Sequence, residues 1–279
     1  MTLIPSSNTW TRILTAAVLV MVLLSVVIAL PPVASLVMIV AVLLAGAWEW
    51  AAFLLQSNTP RHIIFLRSSY VGFVALCLAL AILFCSSLPQ FEILLRFALI
   101  WWLVALAWII FWPSVRHPIG IGLAGIFSMV PMGVALIYLR FLSGQGAVIL
   151  VFVLFVIMAA DVGGYFAGRS FGRRRLAPQV SPSKTWEGVV GGLALSTLIS
   201  IIGGTWLQWP LGMLLPLVWL AVIFSIVGDL FESLLKRHSG LKDSGHLLPG
   251  HGGVLDRVDS LCAGVPLFVW LLLKVGLLP

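Results

Sequence analysis

The sequence predicts an all-α polytopic membrane protein of about nine transmembrane helices. Three observations predict it. Of 279 residues, 61% are hydrophobic and 9% charged, against roughly 45–50% and about 25% in soluble domains. The apolar residues fall in runs of about 20, the length that crosses a hydrocarbon core as a helix. The cations between the runs alternate from one side to the other. A net charge of +7 on such a chain suits loops facing anionic lipid and gives no reason to expect nucleic acid. Cys77, Cys85 and Cys262 lie in apolar surroundings without metal-ligand spacing and read as small apolar residues.

The candidate spans are 12–30, 33–55, 69–88, 91–112, 119–139, 147–167, 188–208, 211–235 and 257–277. Arg12 precedes the first run as in a signal peptide. The run is longer than the roughly 7–15-residue core of such a peptide and shows no clear Ala-x-Ala site, so it reads as a retained helix. No internal repeat and no low-complexity linker is visible. With the N-terminus in the cytoplasm, thirteen of the sixteen Lys and Arg residues fall on the cytoplasmic side; only Arg96, Arg140 and Lys274 do not. In the second span, Glu49 between Trp48 and Trp50 reads as an interfacial acid among aromatic anchors, with a cavity-lining acid as the alternative. Trp101, Trp102, Trp108 and Trp112 read as packing and anchoring residues. Seven of the nine acids lie between Asp161 and Asp259. Residues 1–145 are therefore expected to be scaffold and 146–279 the region that carries chemistry, within one membrane unit.

Asp161 falls late in the sixth span, where it should reach the cytoplasmic interface. Gly163, Gly164 and Gly168 around it permit close helix packing. The basic triplet Arg173, Arg174 and Arg175 fits anionic lipid or topology equally well. Ser183, Lys184 and Thr185 precede a helix start and offer hydroxyls, a cation and free backbone N–H groups, the equipment of a phosphate site; Glu187 in the first turn suits the dipole. Asp229, Glu232 and Lys236, at i, i+3 and i+7, share one helix face. Two carboxylates there require a cation, supplied by Lys236 or by a hard divalent metal such as Mg²⁺ or Mn²⁺.

Residues 238–255 are rich in Gly and His. Gly252 and Gly253 beside His251 suit an anion cradle. His246 and His251 either touch phosphate, shuttle a proton or serve as ordinary loop residues; their spacing does not suit zinc. Asp256 and Asp259 are expected on one face of the last helix, Arg257 pointing away. With Asp229 they make three carboxylates at one membrane depth. Such a set, with nearby cations, fits metal-assisted phosphoryl transfer between a nucleotide and a lipid. A transporter would place its charge at broken helices within repeats, and another lipid-phosphate transferase would share the metal logic.

The run Ser233-x-x-Lys236-Arg237, Lys242-Asp243, Pro249-x-His251-Gly252-Gly253-x-x-Asp256-Arg257-x-Asp259 resembles the signature of phosphatidate cytidylyltransferases (CDP-diacylglycerol synthases). Ser181-Pro182-Ser183-Lys184-Thr185-x-Glu187-Gly188 is similar to a second motif of that family. The resemblance implies CTP and phosphatidic acid as substrates, CDP-diacylglycerol and pyrophosphate as products, a Mg²⁺ requirement, a second cation such as K⁺, and a homodimer in the bilayer. It implies Asp229, Asp256 and Asp259 as metal ligands supported by Asp161 and Glu232. Lys184, Lys236, Arg237, Lys242 and Arg257 would neutralise phosphates. The active site is then expected at the cytoplasmic ends of the C-terminal helices, in a bacterial inner membrane.

Overall fold

A computed structural model describes residues 17–54, 60–113, 117–245, 247 and 252–278. Among the described residues the chain forms α1 (Ala17–Ala29), α2 (Pro32–Leu54, its last turn 3₁₀), α3 (Pro60–Phe84), α4 (Leu88–Phe111), α5 (Pro118–Phe141), α6 (Gly146–Phe171), α7 (Trp186–Trp206), α8 (Leu211–His238) and α9 (Asp259–Lys274). Seven of these, α2 to α8, are long and apolar enough to cross a membrane. The last element is shorter than expected, and the first is described only from Ala17 onward. α9 has 16 residues because Leu255–Arg257 form a separate 3₁₀ turn ahead of it.

Prolines set several boundaries. Pro32, Pro118 and the prolyl residue at position 60 stand at the first helical position, where the missing N–H costs nothing. The third helix therefore begins well before residue 69, and Arg61 and Arg67 belong to it. A short antiparallel hairpin, β1 (Arg175–Ala177) with β2 (Ser181–Thr185), pairs Arg175 with Thr185 and Ala177 with Ser181. The all-α expectation omitted it.

α5 and α9 form the centre and α3 the periphery: 72% of the apolar window of α5 is buried inside the protein but only 17% of that of α3. A face that lies against lipid rather than protein needs no partner in a bilayer. Phe231 of α8 sits among Trp101, Trp102 and Trp108 of α4 at 5.7, 6.1 and 5.7 Å between ring centroids, all edge-on. Trp102 also donates to the Cys262 carbonyl of α9 at 3.1 Å. These tryptophans are packing residues, as expected.

α6 and α7 meet through small residues. A Cβ on Gly163 would collide with the Gly191 carbonyl, and one on Gly192 would lie 2.7 Å from the Ala160 carbonyl. Without a hydrophobic drive between helices in lipid, such close backbone contact supplies the attraction. At the ends of the bundle, His238 contacts the Pro113 carbonyl and Glu49 bonds to Ser244 and Leu255. At the opposite end Arg140 reaches Ser35 and the Leu30 carbonyl, and Lys274 pairs with Glu92 at 2.5 Å.

Candidate active site

Where α6, the hairpin, α7, α8 and the start of α9 converge lies a cavity of about 670 Å³. Asp161, Asp229, Asp243, Asp256 and Asp259 line it, with Lys184, Lys236, Arg169, Arg175 and Arg257. Ala160, Val189, Val222 and Ile226 contribute apolar lining. The volume lies within the roughly 300–1,000 Å³ range of small-molecule sites.

Each side chain is positioned by local structure. Thr185 caps α7, accepting from Gly188 N–H at 3.1 Å. The strand ahead of that cap, β2, presents Ser183 and Lys184 to the cavity. Lys184 pairs with Asp229. Burial opposes the charge of Lys184, but Asp229 and then Asp161 hold its ammonium above the ordinary lysine range. Glu187 accepts the Arg173 N–H at 3.0 Å and that of Arg174 at 3.2 Å, tying the strand start to the first turn of α7. Gly228 brings α8 against α9: an added Cβ would stand 2.5 Å from the Asp259 carbonyl. Asp259 thereby falls within electrostatic range of Asp229, Glu232 and Asp161. Ser260 links the acids, its hydroxyl donating to Asp161 and its N–H to Asp259, both at 2.7 Å.

A second group surrounds Lys236. It pairs with Asp256 at 2.7 Å and with Glu232 at 3.0 Å. Asp256 also accepts the Gly253 N–H at 2.8 Å and the Ser244 N–H at 3.1 Å. Burial raises the Asp256 carboxyl, but the Lys236 ammonium and these N–H groups together hold it below the usual carboxylate range.

Several expectations change in detail. Asp229 and Glu232 do not share one cation: Asp229 faces Lys184, whereas Glu232 is buried against Lys236 and outside the cavity lining. Asp256 and Asp259 are not on one helix face, because Asp256 belongs to the 3₁₀ turn. Arg257 lines the cavity together with Asp256 and Asp259. Gly252 takes φ +82°, which favours glycine, and Gly253 spends its N–H on Asp256. Arg237 and Lys242 are exposed and outside the lining. His246 and His251 lie outside the described residues.

Sequence reasoning missed Arg169, Tyr165, Arg175 and Asp243, all in the lining. It also misjudged Glu49. That acid does not face lipid or water: it is 2% exposed and bonds to Ser244 and to Leu255 of the turn that carries Asp256.

As for a metal, every acidic ligand candidate in the lining is a carboxylate, with no thiol or imidazole among them. Hard oxygen donors of this kind suit Mg²⁺. Two are engaged by lysines, and among the described residues no three His, Cys, Asp or Glu side chains converge closely enough to share an ion.

Residues 10–275 match the pattern of the cytidylyltransferase family. The chain is 42% identical over 277 residues to a phosphatidate cytidylyltransferase of Pseudomonas aeruginosa, covering 95% of this chain and 97% of that protein. It is 36% identical over 278 residues to that of Haemophilus influenzae, covering 92% and 96%. A Synechocystis phosphatidate cytidylyltransferase matches at 47% over 137 residues, covering 47% of this chain and 46% of that protein. With the match running nearly end to end, and a cavity equipped for phosphate chemistry, the chain belongs to the phosphatidate cytidylyltransferase family.

Proposed function

We propose that the chain joins CTP to phosphatidate, giving CDP-diacylglycerol and pyrophosphate, at the cytoplasmic face of a bacterial inner membrane. The observation that carries this reading is one cavity lined by both acids and cations and also by the apolar side chains of Ala160, Val189, Val222 and Ile226. The charged groups suit the phosphates of a nucleotide and of a lipid headgroup. The apolar ones suit the diacylglyceryl end of the lipid.

A phosphatidate oxygen attacks the α-phosphorus of CTP. The bond from that phosphorus to the bridging oxygen breaks, and its electron pair leaves with pyrophosphate. Phosphatidate is already an anionic nucleophile, so alignment and charge neutralisation dominate over general-base chemistry. Lys184, Lys236, Arg169, Arg175 and Arg257 neutralise phosphate oxygens and hold the reacting groups in line. Asp161, Asp229 and Asp259 are the carboxylates from which one or two ligands to Mg²⁺ would come, the rest of its shell being water and phosphate oxygens, with Asp256 keeping Lys236 in place. When bound, the ion would supply charge neutralisation on phosphate oxygens. A second cation such as K⁺ and a homodimer belong to the same reading.

The test is formation of CDP-diacylglycerol from CTP and phosphatidate by purified protein in detergent, with and without Mg²⁺. Wild type should require the metal, and Asp259→Asn should lose at least about 100-fold in kcat, the scale of removing one preorganised charge. Turnover with another nucleotide but not CTP would overturn the substrate assignment. Full activity in chelator would overturn the metal.

A further inference from the structure

An acid far from the signature reaches into it. Glu49 sits in the last α-helical turn of α2 and is 2% exposed. Its Oε2 accepts the Ser244 hydroxyl at 3.1 Å and the Leu255 N–H at 2.8 Å. These partners are 195 and 206 residues away in sequence. The space around it is made by glycines: a Cβ on Gly245 would strike Glu49 Oε1, and one on Gly253 would lie 2.5 Å from Glu49 Oε2. The other oxygen, Oε1, is buried and has no hydrogen-bond partner among the described residues.

Asp256 grips the same residues from the cavity side. It takes the Ser244 N–H while Glu49 takes the Ser244 hydroxyl. It takes the Gly253 N–H while Glu49 takes the N–H two residues later. The two acids thus fasten Ser244 to the 253–255 backbone from opposite sides. Between and beside those points come Asp243, Asp256 and Arg257, all of which line the cavity.

A carboxylate hidden from water is costly to bury, and the donors that offset the cost here come from residues far away in sequence. We infer that Glu49 is a positioning residue for the nucleotidyl transfer: it clamps Ser244 and Leu255 so that Asp243, Asp256 and Arg257 face the cavity. Glu49 touches no reacting group. Its action is through the backbone it holds, and small displacements of reacting groups are expensive. The inference rests on the proposed reaction for its kinetic readout only.

The experiment compares Glu49→Gln, Glu49→Ala and Ser244→Ala in detergent. It measures kcat, KM for CTP, the unfolding midpoint, and amide hydrogen exchange in peptides covering 241–245 and 252–258. Glutamine keeps the shape and one acceptor oxygen; alanine keeps neither. Expected are a loss in kcat of about 100-fold for Glu49→Ala and about 10-fold for Glu49→Gln and Ser244→Ala, on the scale of misplacing a reacting group. KM for CTP should change by less than about threefold, since the clamp orders a reactive geometry rather than supplying uniform binding. Exchange should rise in both peptides and remain unchanged in α6 and α7. Wild-type kcat and wild-type protection in Glu49→Ala would overturn the inference. So would losses of kcat that simply follow a lowered unfolding midpoint across all three variants, with exchange raised everywhere. If wild type fails to convert CTP and phosphatidate, the proposed reaction falls while the exchange data still decide the clamp.

Discussion

Among single residues, Asp256 shows how a signature position can work through its neighbours. It is 11% exposed and carries one ion pair and two backbone donors. Its carboxyl titrates lower folded than unfolded. The contribution to stability is therefore complete above the unfolded value of about 3.9 and drains away as pH falls through the folded value. The unfolding midpoint of wild type in detergent should drop on acidification towards about pH 3, and Asp256→Asn should lose less over the same range. Equal slopes for the two proteins would mean that the pairing contributes nothing to the folded state. How much of the site is legible in the sequence differs residue by residue. The Thr185 cap was readable because its partner, Gly188, is three residues away. Glu49 was not, because nothing within its own helix signals partners two hundred residues on; between two tryptophans it looks like an interfacial acid. Arg169 and Arg175 read as topology markers, since a cation beside a membrane helix looks alike whether it faces lipid phosphate or a cavity.

At the level of elements, helices were legible and their ends less so. An apolar run reports its own length, but the 3₁₀ turn at Leu255–Arg257 shows no break in hydropathy, so Asp256 and Asp259 looked like neighbours on one face. The hairpin escaped notice because strands of 3 and 5 residues, rich in Arg, Ser and Pro, lack the alternation that marks a half-buried strand. The α6–α7 glycines were readable as a packing motif, and the interface they make carries its own prediction. Gly192→Leu should force the helices apart and destabilise by about 1–3 kcal/mol, the usual cost of overpacking. It should also lower CDP-diacylglycerol synthesis, since Ala160, Asp161 and Gly192 border the cavity. Gly212, with nothing within 4 Å of an added Cβ, is the control: Gly212→Ala should leave the midpoint and the rate unchanged. A midpoint for Gly192→Leu equal to wild type would show that the interface gives way without cost.

For the whole molecule, the cations divide between two ends of the bundle. Arg140 and Lys274, assigned to the sparse side, are both tied to partners at one end of the bundle. Lys184, Lys236, Arg169, Arg175 and Arg257 gather around the cavity at the other. Sidedness is checked by labelling in intact cells with a membrane-impermeant maleimide. In a background with Cys77, Cys85 and Cys262 replaced, Ser143→Cys in the α5–α6 turn should react from outside. Lys242→Cys beyond α8 should react only after the cells are opened. The reverse pattern would place the site outside. The distribution of acids suggested a division into scaffold and chemistry, but α9 packs against α4 and α5 as well as α8, and Glu49 comes from α2. The N-terminal helices therefore hold the site as well as the lipid.

Under the proposed reaction, one consequence concerns turnover. Lys184 and Lys236 already face carboxylates, so an arriving phosphate must compete for them with an acid of the protein. Binding becomes an exchange of partners, and its net strength is the difference between two attractions rather than the whole of one. The same acids are waiting when pyrophosphate must go. Each lysine can return to an aspartate as the product departs, which lowers the barrier to release and keeps a highly charged product from holding the enzyme.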